Sequence, residues 1–149
     1  MRRLCDKGLK VATAESCTGG MLAALLTDIE GAGHAFDRGF VTYTKEAKSE
    51  LLGIDRNLLE HNDAVSETVA RAMAEGALAR SSADLALGVT GFAGPAGEDC
   101  EEGLVHFALA RRGREMMHRE AHFGPIGRGP VRVESLKAML EMLEVAIKA

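Results

Sequence analysis

The stretch Thr13-Ala14-Glu15-Ser16-Cys17-Thr18-Gly19-Gly20 joins an extended segment to a helix, and it decides how the chain folds. The residues at 11–14 are small or β-branched, which is typical of a short buried strand. Beyond the two glycines, apolar residues recur at helical spacing at Met21, Leu22, Leu25, Leu26 and Ile29. The sequence therefore predicts a strand, a tight turn that contains Ser16, and a helix.

Ser16 and Thr18 are expected at the start of this helix. A helix N-terminus has unpaired N–H groups and the positive end of the helix dipole, which favour an anion or a developing oxyanion. Two interpretations stay open at this point. The hydroxyl groups either belong to a reactive or anion-binding turn, or they only cap the helix, with Gly19-Gly20 as an ordinary turn.

The composition is that of a mildly acidic protein. The chain has 149 residues, 46% of them hydrophobic and 27% charged, and a formal net charge of −4. We expect residues 1–149 to form one domain, and the charge argues against nucleic acid as a partner. The apolar run at 21–26 is too short to cross a bilayer, and no apolar signal region follows Met1. We therefore expect a cytoplasmic protein without a membrane partner.

Neither the cysteines nor the histidines suggest a metal site. The three cysteines, Cys5, Cys17 and Cys100, are odd in number and far apart, which favours reduced thiols. His118 and His122 fall in a predicted strand, where residues four apart share a face but lie well separated. We therefore predict no metal and no cofactor.

The pattern of predicted elements indicates an α/β fold. Strands are predicted at 11–14, 40–44, 84–89, 104–110 and 115–123. Helices are predicted at 1–7, 20–29 and 45–52, after Ser66, and after a loop at 124–130. Strands and helices alternate early, and the last two strands resemble a hairpin. The expected fold is a three-layer α/β/α sandwich on a mixed, mostly parallel sheet of about five strands.

The loops after the first three strands begin near Ser16, Tyr43 and Thr90. Ligands of open α/β sheets lie beyond the carboxyl ends of the strands, so we expect these hydroxyl groups at one edge. Hydrolysis by a serine needs a base, and no histidine lies in these loops. Lys48 can serve if burial and nearby positive charge lower its pKa; the alternative is an ordinary solvated lysine.

Five segments occur in the same order in a known family. They read Thr-Ala-Glu-Ser-Cys-Thr-Gly-Gly at 13–20, Gly-Phe-Val-Thr-Tyr at 39–43, Glu-Ala-Lys at 46–48, Ala-Val-Ser-Glu at 64–67 and Val-Thr-Gly-Phe-Ala-Gly-Pro at 89–95. In these segments the chain resembles the CinA C-terminal domain family, whose active members are nicotinamide mononucleotide deamidases. The resemblance extends over nearly the whole chain.

This resemblance implies a Ser/Lys amidohydrolase that converts nicotinamide mononucleotide and water to nicotinate mononucleotide and ammonia. It implies catalytic roles for Ser16 as nucleophile, Lys48 as base, Tyr43 as an orienting or relaying group, and Thr90. The N–H groups after Ser16 would stabilise the oxyanion. The implied substrate-binding residues are Cys17, Thr18, Gly19, Gly20, Gly91, Gly94 and Arg128, with Arg128 on the phosphate. The resemblance also implies a homo-oligomer.

Several positions depart from the family pattern. Gly127 stands where the family has an aspartate before Arg128, and an acidic segment at 98–102 replaces the usual sequence after Pro95. These departures motivate an alternative, a catalytically impaired paralogue that binds a nucleotide or a protein. In a third hypothesis Cys17 is the nucleophile and Ser16 only a cap.

Overall fold

A five-stranded mixed sheet forms the centre of the computed structural model, which describes residues 1–95 and 97–148. The strands are β1 (Val11–Glu15), β2 (Phe36–Val41), β3 (Leu85–Gly91), β4 (Leu104–Arg111) and β5 (Met117–His122). Their order across the sheet is β2-β1-β3-β4-β5. The first three strands are mutually parallel, and among the described strands only β4 runs against the others.

Helices cover both faces of this sheet. The described α-helices are α1 (Arg2–Asp6), α2 (Met21–Thr27), α3 (Lys45–Leu52), α4 (Arg56–His61), α5 (Glu67–Ala79) and α6 (Arg128–Lys148). On one face, α2 and α6 contribute Leu22 and Met139 to an apolar cluster, and on the other α3 and α5 contribute Leu52 and Val69. The predicted three-layer α/β/α sandwich is confirmed. In the described part of the chain, no helix combines the length and apolarity needed to span a membrane.

The small residues of the central strands allow the helices to approach closely. β1 is buried along its whole length; Val11 faces the layer of α2 and α6, and Ala14 faces the layer of α5. On β3, a Cβ at Gly88 would lie 2.6 Å from the Ala70 carbonyl oxygen of α5. Because interiors are close-packed, a larger residue there would displace the helix.

The helix predicted at 45–52 is confirmed as α3, and both of its ends have a physical cause. The Thr44 hydroxyl accepts a hydrogen bond from the N–H of Ala47, at 3.1 Å, and so caps the first turn. Gly53 ends the helix with φ of +65°, a conformation that favours glycine. Ser66 caps α5 as predicted, through the N–H of Val69.

The second strand lies earlier than the predicted 40–44. β2 spans Phe36–Val41, and Thr44 already caps the following helix. The prediction missed the start of the strand because Asp37 and Arg38 are polar. β2 is an edge strand that pairs only with β1, so these side chains stay partly exposed and are tolerated.

The last helix begins earlier than predicted. Three glycines and two prolines at 124–130 predict a loop, yet α6 spans Arg128–Lys148. Pro130 lies in its first turn, where the missing N–H would have no acceptor within the helix, so the ring is tolerated. Arg128 is therefore a helical residue. The sequence also does not predict α4, whose first turn is capped by Asp55.

Candidate active site

The carboxyl ends of β1, β2 and β3 lie at the same edge of the sheet, because these strands are parallel. Ser16 directly follows β1, and its N–H donates to the Val89 carbonyl oxygen of β3 at 3.2 Å. Thr42 directly follows β2, and its N–H donates to the Glu15 carbonyl oxygen at 2.8 Å. These bonds join the ends of the three strands. α3 begins three residues later and brings Lys48 to this edge.

The amine of Lys48 lies against the hydroxyl of Ser16. Its Nζ is 3.1 Å from Ser16 Oγ, and it also lies 3.0 Å and 3.1 Å from the carbonyl oxygens of Thr42 and Tyr43. Lys48 is only 1% exposed and Ser16 only 7%. Within the described residues the hydrogen-bond partners of this amine are these three oxygens, and none of them is a carboxylate.

Burial lowers the pKa of Lys48, because the charged ammonium loses hydration in this site. A Cys17 thiolate would raise the pKa of Lys48, but the Cys17 thiol keeps its proton at neutral pH, as described next. The nearby positive charge expected from the sequence is not among the causes of the shift. Burial therefore moves the amine toward the neutral form that a general base requires.

Cys17 is a buried thiol that packs into the apolar cluster under α2 and α6. Burial raises the pKa of this thiol to about 11, against opposing contributions that include the charge of Arg128. A protonated thiol is a poor nucleophile, because the thiolate is the reactive form. The three cysteines are unpaired, in agreement with the predicted reduced thiols.

Glu15, the last residue of β1, holds the turn that carries Ser16. Its carboxylate is 1% exposed and accepts four hydrogen bonds. The donors are Thr18 Oγ1 (2.7 Å) and the N–H groups of Gly20 (3.1 Å), Leu22 (3.0 Å) and Ala23 (2.8 Å). The carboxylate thus occupies the start of α2, where the sequence suggested an oxyanion or a Ser/Thr cap. Neither Ser16 nor Thr18 caps this helix with its side chain.

Two N–H groups next to Ser16 are bonded to no other residue of the described chain, although that of Cys17 also interacts with its own thiol. Those of Cys17 and Thr18 donate no hydrogen bond to another residue in the described part of the chain. The next N–H, that of Gly19, donates to the Ser16 carbonyl oxygen at 3.1 Å. Gly19 and Gly20 have φ of +62° and +95°, which glycine adopts readily, and they close the tight turn.

Arg132 contacts the same turn from α6. Its Nη2 donates to the Thr18 carbonyl oxygen at 2.9 Å, and a Cβ at Gly19 would lie 3.2 Å from this nitrogen. The sequence motifs predict no role for Arg132 or for Glu15. The position of Glu15 at the end of a buried strand was the available indication of its role, because a buried carboxylate needs hydrogen-bond donors around it. For Arg132 no indication was available, because Arg128 falls in the predicted loop; only the helix α6 places the two arginines one turn apart.

Tyr43 and Thr90 lie at the predicted edge, but their hydroxyl groups do not contact Ser16. The Tyr43 side chain is 64% exposed, and its residue contributes the carbonyl oxygen to Lys48. Thr90 is buried, and its hydroxyl donates to the Ala64 carbonyl oxygen at 2.7 Å. Because Lys48 contacts Ser16 directly, a proton can pass between them without a relay through Tyr43. The hydrogen bond of Thr90 holds the segment before α5 against β3.

Arg128 opens α6 beside the loop that follows β3. A Cβ at Gly94 would lie 3.7 Å from its Cβ, and its charge acts on Cys17. The side chain is exposed and makes no hydrogen bond or ion pair with the rest of the described chain. Gly91 packs closely against β4, because a Cβ there would lie 2.7 Å from Val105 Cγ2. Arg128 is thus available for an anion.

The acidic segment at 98–102 is partly engaged by β5. Glu101 Oε1 lies 2.7 Å from His122 Nδ1, and a second carboxylate, that of Glu120, lies 2.7 Å from His122 Nε2. These two bonds raise the pKa of His122. Ala96, which belongs to the predicted loop, lies outside the described residues.

His118 contacts His106 and not His122. Its Nε2 lies 3.2 Å from His106 Nδ1, and the ring centroids are 5.5 Å apart with planes 21° from parallel. The centroid separation is about the nitrogen–nitrogen distance plus two ring radii, so the rings meet edge to edge in an N–H···N bond. Over residues 1–95 and 97–148, no three His, Cys, Asp or Glu side chains are grouped to hold a metal.

Comparison with known proteins places the chain in a family. The model of the CinA C-terminal domain matches residues 1–147. A competence-damage inducible protein of Symbiobacterium thermophilum is 55% identical over 116 residues, which are 76% of this chain and 27% of that protein. A CinA-like protein of Syntrophus aciditrophicus is 46% identical over 95% of this chain and 34% of its own length. The chain thus spans about a third or less of these relatives.

Solved structures show the same fold. The competence/damage inducible protein CihA from Agrobacterium tumefaciens has a TM-score of 0.92 and 45% identity, and covers 99% of this chain and 93% of its own. A CinA superfamily protein from Escherichia coli has a TM-score of 0.89 and 36% identity over 95% of this chain and 83% of its own. With the family model matching residues 1–147, this chain belongs to the CinA C-terminal domain family.

Proposed function

We propose that this chain is an amidohydrolase that converts nicotinamide mononucleotide and water to nicotinate mononucleotide and ammonia. The observation that carries the proposal is the buried contact of 3.1 Å between Lys48 Nζ and Ser16 Oγ. This distance is the hydrogen-bond reach expected of a nucleophile and its base. The fold family suggests a hydrolase, and the resemblance of the motifs suggests this substrate.

The surroundings of Lys48 suit a neutral amine. A neutral amine has two N–H donors and one lone pair, whereas an ammonium has three donors and no acceptor. The two donors match the carbonyl oxygens of Thr42 and Tyr43, and the lone pair then accepts the Ser16 hydroxyl. The base and the nucleophile are therefore arranged for transfer of the hydroxyl proton.

In the first half of the proposed reaction, Ser16 Oγ attacks the carboxamide carbon while Lys48 accepts the hydroxyl proton. The oxyanion that forms is stabilised by the N–H groups of Cys17 and Thr18, which donate to no other residue of the described chain. The C–N bond then breaks, Lys48 gives the proton to the leaving nitrogen, and ammonia departs. An ester of Ser16 with the nicotinoyl group remains.

In the second half, water attacks this ester. Lys48 accepts a proton from the water, a second oxyanion forms at the same N–H groups, and the C–O bond to Ser16 breaks. The proton returns to Ser16 Oγ, and nicotinate mononucleotide leaves. Neither half requires a group beyond the two side chains, the two N–H groups and water.

Arg128 is the residue we propose for the phosphate of the substrate. Its guanidinium is exposed, and within the described residues no carboxylate pairs with it. A free guanidinium is well suited to bidentate contact with phosphate oxygens. Arg128 lies at the start of α6, next to Gly94. Arg132 of the same helix contacts the Ser16 turn, so both arginines lie on one side of the site.

The decisive experiment incubates the purified chain with nicotinamide mononucleotide and measures ammonia together with the product by mass spectrometry. We expect ammonia and nicotinate mononucleotide in equal amounts. Nicotinamide riboside, which lacks the phosphate, should react with a higher KM if Arg128 binds the phosphate. A nucleotide that raises the melting temperature without any turnover would instead favour the alternative of a binding module.

A substitution at Cys17 separates the two neighbouring candidate nucleophiles. Cys17→Ser is expected to leave kcat within about threefold of wild type, since a thiol held in the protonated form takes no part in the proposed reaction. Stability should fall by about 1 kcal/mol or more, because a hydroxyl replaces the thiol in an apolar cluster. Loss of most of the ammonia release in a folded Cys17→Ser protein would make Cys17 the nucleophile.

A further inference from the structure

We propose that Glu15 is a positioning residue for catalysis: its carboxylate holds the Ser16 turn in the form that leaves the Cys17 and Thr18 N–H groups free for the oxyanion. This inference rests on the proposed hydrolytic function of the site. Glu15 touches neither Lys48 nor the Ser16 hydroxyl in the structure, so it would act through the backbone that follows the nucleophile.

The carboxylate ties the turn to the sheet. Glu15 is fixed by β1, and Ser16 is the next residue, so the carboxylate and the nucleophile share one rigid support. From this support, Oε2 reaches Thr18 Oγ1 and the N–H groups of Gly20 and Leu22, which lie on the far side of the turn. An ordinary cap side chain, such as Asp55 on α4, accepts one hydrogen bond and stays at the surface.

Thr18 is held from two sides. Its hydroxyl donates to Glu15 Oε2 at 2.7 Å, and its carbonyl oxygen accepts from Arg132 Nη2 at 2.9 Å. With the side chain and the carbonyl both fixed, the peptide groups on either side of Thr18 have little freedom to rotate. The N–H of Thr18, one of the two proposed oxyanion donors, is thereby fixed in direction.

Glu15 also removes competing donors from the start of α2. The N–H groups of Gly20, Leu22 and Ala23 would otherwise be unpaired at a helix N-terminus and would attract an anion there. Because the carboxylate satisfies all three, the N–H groups of Cys17 and Thr18 are the donors left beside Ser16 in the described chain. The hydrogen-bond angle determines how well such donors stabilise an oxyanion.

The test compares Glu15→Gln and Glu15→Ala with wild type. Glutamine can keep an oxygen at the Oε2 position but places an amide NH₂ where Oε1 accepts from Ala23, so we expect kcat to fall about tenfold. Alanine removes all four contacts, and we expect a fall of about 100-fold or more, in the range of a lost oxyanion donor. KM should change by less than about threefold, because these donors act in the transition state.

Asp55→Ala is the matched control, because it also removes a carboxylate that caps a helix. It should lower the melting temperature without changing kcat, which separates loss of stability from loss of positioning. The proposal is overturned if folded Glu15→Gln and Glu15→Ala proteins keep kcat within about threefold of wild type, or if only KM rises.

A second readout does not depend on the natural substrate. A fluorophosphonate forms a P–O bond to Ser16 Oγ as the P–F bond breaks, with the hydroxyl proton passing to Lys48 and fluoride leaving. The rate of this labelling, followed by intact mass, should fall in the order wild type, Glu15→Gln, Glu15→Ala. If wild type is labelled but releases no ammonia, the substrate proposal fails and the Glu15 series still decides the positioning role; equal labelling rates, or no labelling of wild type at Ser16, overturn it.

Discussion

Ser16→Ala is expected to lower kcat for ammonia release from nicotinamide mononucleotide by about 10⁴-fold or more. Alanine has no oxygen that could attack the carboxamide, so the covalent intermediate cannot form. The residual rate would come from bound water and from the N–H groups of Cys17 and Thr18, which remain in place. KM should stay close to wild type, because Ser16 Oγ bonds to Lys48 within the protein. Initial rates of ammonia release over a range of substrate concentrations test both expectations.

The stability of this variant should stay close to that of wild type, within about 1 kcal/mol, because the Ser16 hydroxyl makes a single hydrogen bond in the described structure. Ser135→Ala is the matched control: it removes the hydroxyl of another buried serine, which donates to the Val131 carbonyl oxygen. This control should keep its activity. A folded Ser16→Ala protein that retains a tenth of the wild-type kcat would show that Ser16 is not the nucleophile.

Periodicity and turn chemistry were sufficient to predict the fold. The small residues at 11–14 indicated the buried strand β1, and the helix predicted at 45–52 coincides with α3. Local patterns failed where tertiary contacts decide. β2 contains the polar residues Asp37 and Arg38 after Phe36, which are tolerated because it is an edge strand, and α6 includes Pro130 because the first helical turn needs no N–H there.

The sequence predicted which strand ends meet at this edge, but not the contacts that the side chains make there. The ends of parallel strands must share an edge, which brings Ser16 and the residues after β2 together. Whether Lys48 reaches Ser16 depends on the position of α3 over this edge, which no residue pattern encodes. The four hydrogen bonds of Glu15 depend on how the turn folds back, and neither an anion site nor a Ser/Thr cap, the two alternatives that the sequence offers, predicts them.

Lys48→Met is expected to abolish turnover, with kcat at least about 10³-fold below wild type. Methionine has a similar length and is apolar, but it cannot accept the Ser16 proton. Lys48→Arg should be inactive as well, because a guanidinium stays charged and cannot act as a base. The matched control is Lys45→Met, which changes an exposed lysine of the same helix and should keep its activity.

The dependence of kcat/KM on pH follows from the same amine. The proposed reaction requires neutral Lys48, so the rate should rise with pH and level off above the pKa of this group. Since burial lowers the pKa of Lys48, the rise should be centred below the ordinary value for lysine. A rate that is flat with pH, or that rises only in the ordinary lysine range, would contradict a buried neutral base.

Thermal unfolding gives an independent measure of this shift. Because the folded protein lowers the pKa of Lys48, it binds fewer protons than the unfolded chain between that lowered value and the ordinary one. Stability therefore falls as the pH falls through this window, whereas above it both states hold a neutral lysine. Lys48→Met does not lose stability in this way. The melting temperature of the variant minus that of wild type should therefore increase as the pH is lowered.

The raised pKa of Cys17 changes stability with pH in the opposite direction. Its contribution to the free energy of unfolding is complete below the ordinary pKa of a thiol and is lost as the pH rises toward about 11. Both proteins contain Cys17, so the difference between their melting temperatures isolates Lys48. A difference that does not change with pH would mean that the lysine keeps its ordinary pKa in the folded state. It would then be an ammonium at neutral pH, with no lone pair to accept the proton of Ser16, and the proposed base would be excluded even if Lys48→Met is inactive.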